Sequence, residues 1–551
     1  MVEAVFQAKL AELKVRVLDV WQGHEREAVI EIVRAADEAA FATRFFPEDD
    51  PNRKTRRIIL SGVAGALATF LPAIKHSGPG LPFSPTNDSR MAWIDSMLIE
   101  FGKLAELQRI AAMERYGLAR CEQTSPREIK IEVAAGIAEL MDRRANQWLR
   151  AETMDRVAKL QGPPPEPERI TALLDASSAV HDGWFIRYEG DGELLGYYQE
   201  RAITEVLGYP ESEALAHDAE IGGRLFAEWR ATCFAALARV FNHIAYATRL
   251  RHLNPKLTLR NLLTVPVLKK DAEAVWIEAG DDPARVEATI SHLMLDADSV
   301  MPWSQHHEIP APFYIDVGGG WLLLPMFGGL LNPICGLVRT LRLRHPREWD
   351  KTVGMRETYF RADLQNHFRP PRFVVLDREF VLRRNDGTHL TDLDAAILDN
   401  DAGSLALVQL KWPDIFGMSL RERESRRLNL LKANEWVERV HGWIDGRSAH
   451  NVAKVIGLSE GGSRDRPPIL LVIPRYNARF TLNDTFDHRA GWISWPELVR
   501  SRAEEPMTID PLVSLFERFR SGGPIANYEA PEDIVYGLRD MEVVISVKRQ
   551  V

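Results

Sequence analysis

Polar and apolar residues alternate in two runs near the C-terminal third of the chain. The first is Thr391 to Leu398 and the second Ser404 to Lys411, with the Asp-, Asn- and Gly-bearing segment Asp399–Gly403 between them. Period-two alternation on both sides of such a turn predicts a β-hairpin. Pairing across the turn sets Asp394 opposite Gln409 to within about one residue, and alternation sends Lys411 to the same face as Gln409. A carboxylate, an amide oxygen and an ammonium then converge at one strand end.

The period changes on either side of the hairpin. Upstream, Trp349, Val353, Phe360, Leu364 and Phe368 recur at three- and four-residue steps and predict a helix over 349–368, with Glu357 on the same stripe. A carboxylate turned toward a core costs several kcal/mol unless it is paired or ligates a cation. Arg372–Arg384 reads as the strand preceding the hairpin. Downstream, Met418–Ile444 reads as a helix burying Leu420, Leu428, Leu431, Trp436, Val440 and Trp443. Ile469–Ile473 has the continuous apolar character of a strand covered on both faces. Gly491–Trp495 reads as a last strand and Pro496–Arg502 as a helix. The predicted order is helix, three strands, helix, two strands, helix.

This order and these residues resemble the PD-(D/E)XK nuclease superfamily over residues 345–505 only. Gly354-Met355-Arg356-Glu357 looks like the Gly-X-X-Glu of the superfamily's first helix. Asp394 matches its strand-end acid, and Gln409-Leu410-Lys411 its Glu/Gln-X-Lys tripeptide, with Gln as in the Mrr-like restriction branch. The resemblance implies a C-terminal α/β restriction-endonuclease-like domain with an αβββαβ core. It implies catalysis by Asp394, Gln409, Lys411 and Glu357. It also implies Mg²⁺, with Mn²⁺ as a substitute, held by Asp394, Glu357, the Gln409 side-chain oxygen and the Leu410 carbonyl. Lys411 would act as a point charge on the scissile phosphate or as a base of lowered pKa. The implied activity is cleavage of phosphodiester bonds in DNA, in restriction, antiviral defence or repair. Gln409 removes one metal-binding charge, which leaves open a nuclease-fold protein that binds nucleic acid or scaffolds with a weakened or inactive site. An RNA-directed nuclease is left open as well.

Each residue also has a plainer reading. Asp392 and Asp394 fit a solvated strand start, Gln409 and Lys411 the exposed side of an edge strand, and Glu357 the partner of a core arginine.

The rest of the chain sets the context. A length of 551 residues calls for several domains. The chain is 45% hydrophobic and 27% charged, as in soluble globular proteins. The Pro-rich segment Gln161–Glu168 marks a boundary. The expected organisation is multidomain: a helical domain over 1–160, a mostly helical middle domain over 169–340 with short strands near 312–324, the nuclease-like domain over 345–505, and a C-terminal extension over 506–551. The 312–324 strands turn at Gly318-Gly319-Gly320, and the Ser77–Asn87 loop divides the all-helical start.

Ile58–Ile74 is apolar but about 17 residues long and holds Gly62, Gly65 and Pro72, which favours a buried helix over a membrane span. Cys121, Cys233 and Cys335 stand singly, which points to a reducing cytoplasm and away from a structural zinc site. His306-His307-Glu308 does not project as one metal-ligating set.

A net charge of −9 is unlike that of a nucleic-acid binder. Its distribution is uneven: no Asp or Glu lies between Arg230 and Lys270. Arg249, Arg251, Lys256 and Arg260 there, with Arg339 and Arg342 ahead of the Glu357 helix, are candidate phosphate contacts, although each cluster also reads as a solvated helix face. Partners expected on this reading are nucleic acid, DNA ahead of RNA, with a homo-oligomer or defence-complex partner left open and no membrane.

Overall fold

A computed structural model describes residues 2–74, 80–134, 137–413, 420–458, 465–476, 478, 486–504, 509–520 and 533–548. It is a mixed helical and sheet molecule, with long helices in its N-terminal half and its largest sheet toward the C-terminus. Met418, Ser419, the Leu420 side chain and the first residues of the Ser77–Asn87 loop lie outside the described residues.

The apolar run near residue 60 forms the helix Arg53–Phe70, continued by a 3₁₀ turn, and most of it is buried inside the protein. Its glycines set its packing. A Cβ on Gly62 would stand 2.2 Å from the Leu98 carbonyl oxygen, and one on Gly102 would stand 1.9 Å from that of Ile58. The helices Arg53–Phe70 and Asp88–Ala112 therefore cross with their backbones in contact, which any side chain at either position would prevent. One apolar cluster runs from Leu13 to Trp349 and includes both this helix pair and the long helix Phe226–Leu253.

The first 160 residues are not all helical. Ala119–Ser125 and Glu128–Ala134 form a hairpin, with Ile129 and Ile131 buried on alternate positions. Strand Met541–Lys548 pairs parallel to Glu128–Ala134, and Ile534–Leu538 pairs antiparallel to Met541–Lys548. The hairpin's period-two burial thus has a partner more than four hundred residues away. Tyr314–Asp316 and Trp321–Leu324 pair as expected, and Gly318, Gly319 and Gly320 between them all have φ between 64° and 77°, a region side chains avoid.

The large sheet has five strands in the order Phe373–Val375, Ala395–Asp399, Ser404–Lys411, Ile469–Pro474, Ala490–Trp492. The first three neighbour antiparallel and the last two join parallel. The parallel step from Ser404–Lys411 to Ile469–Pro474 needs a crossover, and the helices Leu420–Ile444 and Ala449–Ile456 lie within it. One sheet face, with Leu405, Leu407, Leu470 and Val472, packs against Trp436, Val437 and Val440 of the long helix. The other, with Ala406, Val408, Leu410 and Leu471, packs against Phe360 and Leu364 of the helix Arg356–His367, Leu498 of Trp495–Glu504 and Leu512 of Pro511–Phe519.

Four expectations need correction. Arg372–Arg384 is two strands, Phe373–Val375 and Phe380–Arg383, of which only the first belongs to the large sheet. Thr391–Leu398 breaks at Asp394: His389–Leu393 pairs with Phe380–Arg383, while Ala395–Asp399 pairs in the large sheet. The expected helix 349–368 breaks at Gly354-Met355 into Pro346–Val353 and Arg356–His367. Leu428 is exposed rather than buried.

Candidate active site

The hairpin register is the one the alternation predicts. Ala395 pairs with Val408 through to Asp399 with Ser404, which places Asp394 level with Gln409 one step before the strand. Gly403 closes the turn at φ 68°. Asp394 sits where the chain passes from the small hairpin to the large sheet, and its side chain falls on the face shared by Ala396, Leu398, Gln409 and Lys411.

Both polar groups of the pair are buried, Asp394 at 4% exposure and Gln409 at 6%. The Gln409 side-chain amide donates to Asp394 Oδ2, and the Leu410 backbone N–H donates to the same oxygen over 2.7 Å. Asp394 Oδ1 makes no hydrogen bond to the described residues. Burial pushes the Asp394 carboxyl up to about 7, and the neighbouring Glu357 carboxylate pushes in the same direction. Lys411 and the two hydrogen bonds oppose that shift. Glu357 and Lys411 are therefore both close enough for their charges to act on Asp394.

Glu357 arrives there by a different route from the one its stripe suggested. It is exposed, not core-facing, because the break at Gly354-Met355 resets the helical phase. Arg356, Phe360, Arg361 and Leu364 take the buried positions. The helix packs on the sheet face opposite Gln409, through Phe360 and Leu364, and Glu357 lies exposed in its first turn.

Several residues that the sequence reading did not single out hold this arrangement. Arg361 Nε donates to the Asp394 backbone carbonyl over 2.6 Å. Arg356 donates through Nε and Nη2 to the Ala214 carbonyl at 2.9 and 2.6 Å, and Tyr359 donates to Asp218 at 2.6 Å. The helix carrying Glu357 is thereby fastened to the 210–218 segment. Trp436 Nε1 donates to the Asp392 carbonyl at 2.9 Å, bringing the long helix against the strand before Asp394. Arg361 had one sequence signal, its position one helical turn after Glu357.

The basic candidates separate into two groups. Arg260, 2% exposed, is paired with Glu38 and Asp95, and Arg339, 7% exposed, is paired with Glu308 and lies over Trp303. Neither is available to a phosphate, because each guanidinium is itself buried and already paired, Arg260 with two partly exposed acids far away in sequence and Arg339 with the buried Glu308. Arg249 is engaged bidentately by Asp175. Lys256 is exposed, and Arg251 and Arg342 are half-buried.

Among the described residues there is no group of three or more His, Cys, Asp or Glu side chains able to hold a metal. The site described above offers two carboxylates, Asp394 and Glu357, with neutral oxygens beside them. No protein-family model, curated protein or solved structure matches the chain.

Proposed function

We propose that residues 345–505 are a metal-dependent nuclease domain of the PD-(D/E)XK type, with a restriction-endonuclease-like fold, acting on phosphodiester bonds of DNA. The observation that carries this reading is the buried Asp394, bonded by Gln409 and Leu410 on the adjacent strand, with Lys411 on the same face and the charge of Glu357 acting on it. The central strand Ser404–Lys411, an antiparallel neighbour before it and a parallel one after a helical crossover support the fold. Helices on both faces support it too.

The donor set fits a hard divalent cation. All the candidate ligands are oxygens, the preference of Mg²⁺ and Mn²⁺, and the Asp394 carboxyl, raised first by burial and then by the Glu357 charge, is one whose ionised form a bound cation would stabilise. Asp394 and Glu357 would anchor the ion. In an extended strand the N–H and C=O of one residue point to the same side, so the Leu410 carbonyl faces Asp394, as its N–H does. Gln409 would contribute its side-chain oxygen after a half-turn of its amide. Such a cation supplies Lewis-acid stabilisation of charge on the phosphate.

The chain's own residues do the remainder. Lys411 sets an ammonium beside the anionic pair, where it binds a phosphate oxygen and offsets the charge that grows as the P–O bond breaks. Gln409 and the Leu410 N–H hold Asp394 in one orientation before substrate arrives.

A second reading, a nuclease-fold protein that binds nucleic acid without cutting, is favoured by the donor count, since the described residues bring two carboxylates, Asp394 and Glu357, to the site. Calorimetric titration of Mg²⁺ into wild type and Asp394→Asn at pH 8 tests the first reading at its base. Binding by wild type that Asp394→Asn abolishes supports it, and equal heats from the two proteins would refute it.

A further inference from the structure

We propose that Arg361 is a positioning residue for this site, fixing the Asp394 main chain at the point where it passes between two sheets; the inference rests on the nuclease reading above. Asp394 stands outside both flanking strands, whose ladders stop at Leu393 and resume at Ala395. Its main chain therefore lacks the ladder support that a strand residue has. The Arg361 Nε–H takes the place of that support, donating to the Asp394 carbonyl over 2.6 Å.

The choice of an arginine for this bond is informative. Arg361 is 7% exposed, and a buried guanidinium costs several kcal/mol unless it is paired. Elsewhere in this domain Arg475 meets that cost with two carboxylates, Asp363 and Glu213. Among the described residues Arg361 has no carboxylate partner, and its one hydrogen bond there goes to the residue that carries the site's buried acid. Its terminal nitrogens make no hydrogen bond to the described residues. Glu357 lies one turn before it on the same helix, so a single rigid element delivers the second carboxylate and braces the first. A lysine at 361 keeps the charge and one donor, whereas a glutamine keeps the approximate size and loses the charge.

The test compares wild type, Arg361→Gln and Arg361→Lys as full-length chains. Each is first checked for cooperative urea unfolding, then measured for Mg²⁺ affinity by calorimetry and for kcat and KM on duplex DNA. Loss of an outer bracing group weakens metal affinity or activity by about 10- to 100-fold. Arg361→Gln should show that loss in Mg²⁺ affinity and in kcat with KM little changed, and Arg361→Lys should recover most of it. A folded Arg361→Gln with Mg²⁺ affinity and kcat within about twofold of wild type overturns the proposal, the threshold lying well below the expected loss. So does a raised KM with Mg²⁺ affinity unchanged, which would make Arg361 a substrate contact. If Arg361→Gln does not fold, Arg361→Lys decides: a folded lysine variant that has lost Mg²⁺ affinity overturns the proposal, and one that retains it supports it. Wild type that neither binds Mg²⁺ nor cleaves overturns the nuclease reading first, and this inference with it.

Discussion

Arg475 donates its backbone N–H to the carbonyl of Lys411 over 2.7 Å, extending the parallel pairing to the end of the strand that carries the ammonium. Its side chain is 3% exposed as a residue, pairs with Asp363 and Glu213, and lies over Phe360, Trp412 and Trp495. The strand end beside the site and the Glu213 segment are held by one cation.

Arg475→Ala should therefore lower stability by about 2–4 kcal/mol, toward the low side of the range for a broken buried pair because Asp363 and Glu213 are partly exposed and regain water. Glu213→Gln, which leaves Asp363 in place, should cost about 1 kcal/mol or less. Urea midpoints with unchanged slopes check both values. Equal losses from the two variants would mean that the ring contacts and Asp363 contribute little.

Gly62→Ala and Gly102→Ala should each destabilise the protein by about 1–3 kcal/mol or more, since the added Cβ would stand 2.2 and 1.9 Å from a carbonyl oxygen, far inside van der Waals contact. Gly80, with nothing within 4 Å of its Cβ position, is the control, and Gly80→Ala should be close to neutral. Thermal unfolding of the three variants is the measurement.

How much of this was legible follows from where each partner lies. The Asp394–Gln409 pairing could be read because both strands and their turn are local, and Gly403 supplies the left-handed residue that the turn requires. The strand break at Asp394 could not, since Leu393-Asp394-Ala395-Ala396 carries no glycine or proline and an aspartate there equally marks the end of a single strand. The helix break was signalled only by Gly354, so Glu357 was assigned to a core stripe that Arg356 and Arg361 occupy instead. Arg260 and Arg339 looked like surface charge because the acids that pair with Arg260, Glu38 and Asp95, are far away in sequence, and because nothing local marks Glu308 as the partner of Arg339. The hairpin at 119–134 was missed for a related reason, its sheet being completed by the last strands of the chain.

The Asp394 carboxyl gives a pH signature. Its folded value, about 7, lies above the ordinary 3.8, so the folded state keeps a proton that the unfolded state has lost between those limits. Stability contributed by this group falls as pH rises from about 4 to about 7, and the penalty is constant above that. Asp394→Asn removes the penalty. With chelator present, the variant should exceed wild type by on the order of 1–4 kcal/mol at pH 8 and match it near pH 4. Urea unfolding at the two pH values checks this, and a difference independent of pH would show that the carboxyl is not raised.

Cleavage of plasmid and single-stranded DNA with Mg²⁺, with Mn²⁺ and with chelator, by wild type, Asp394→Asn and Lys411→Ala prepared identically, is the decisive measurement for a nuclease site at Asp394. Wild type should show metal-dependent cleavage and each variant a loss of about 100-fold or more, with DNA binding and folding retained. Cleavage by Asp394→Asn equal to that of wild type would contradict that assignment.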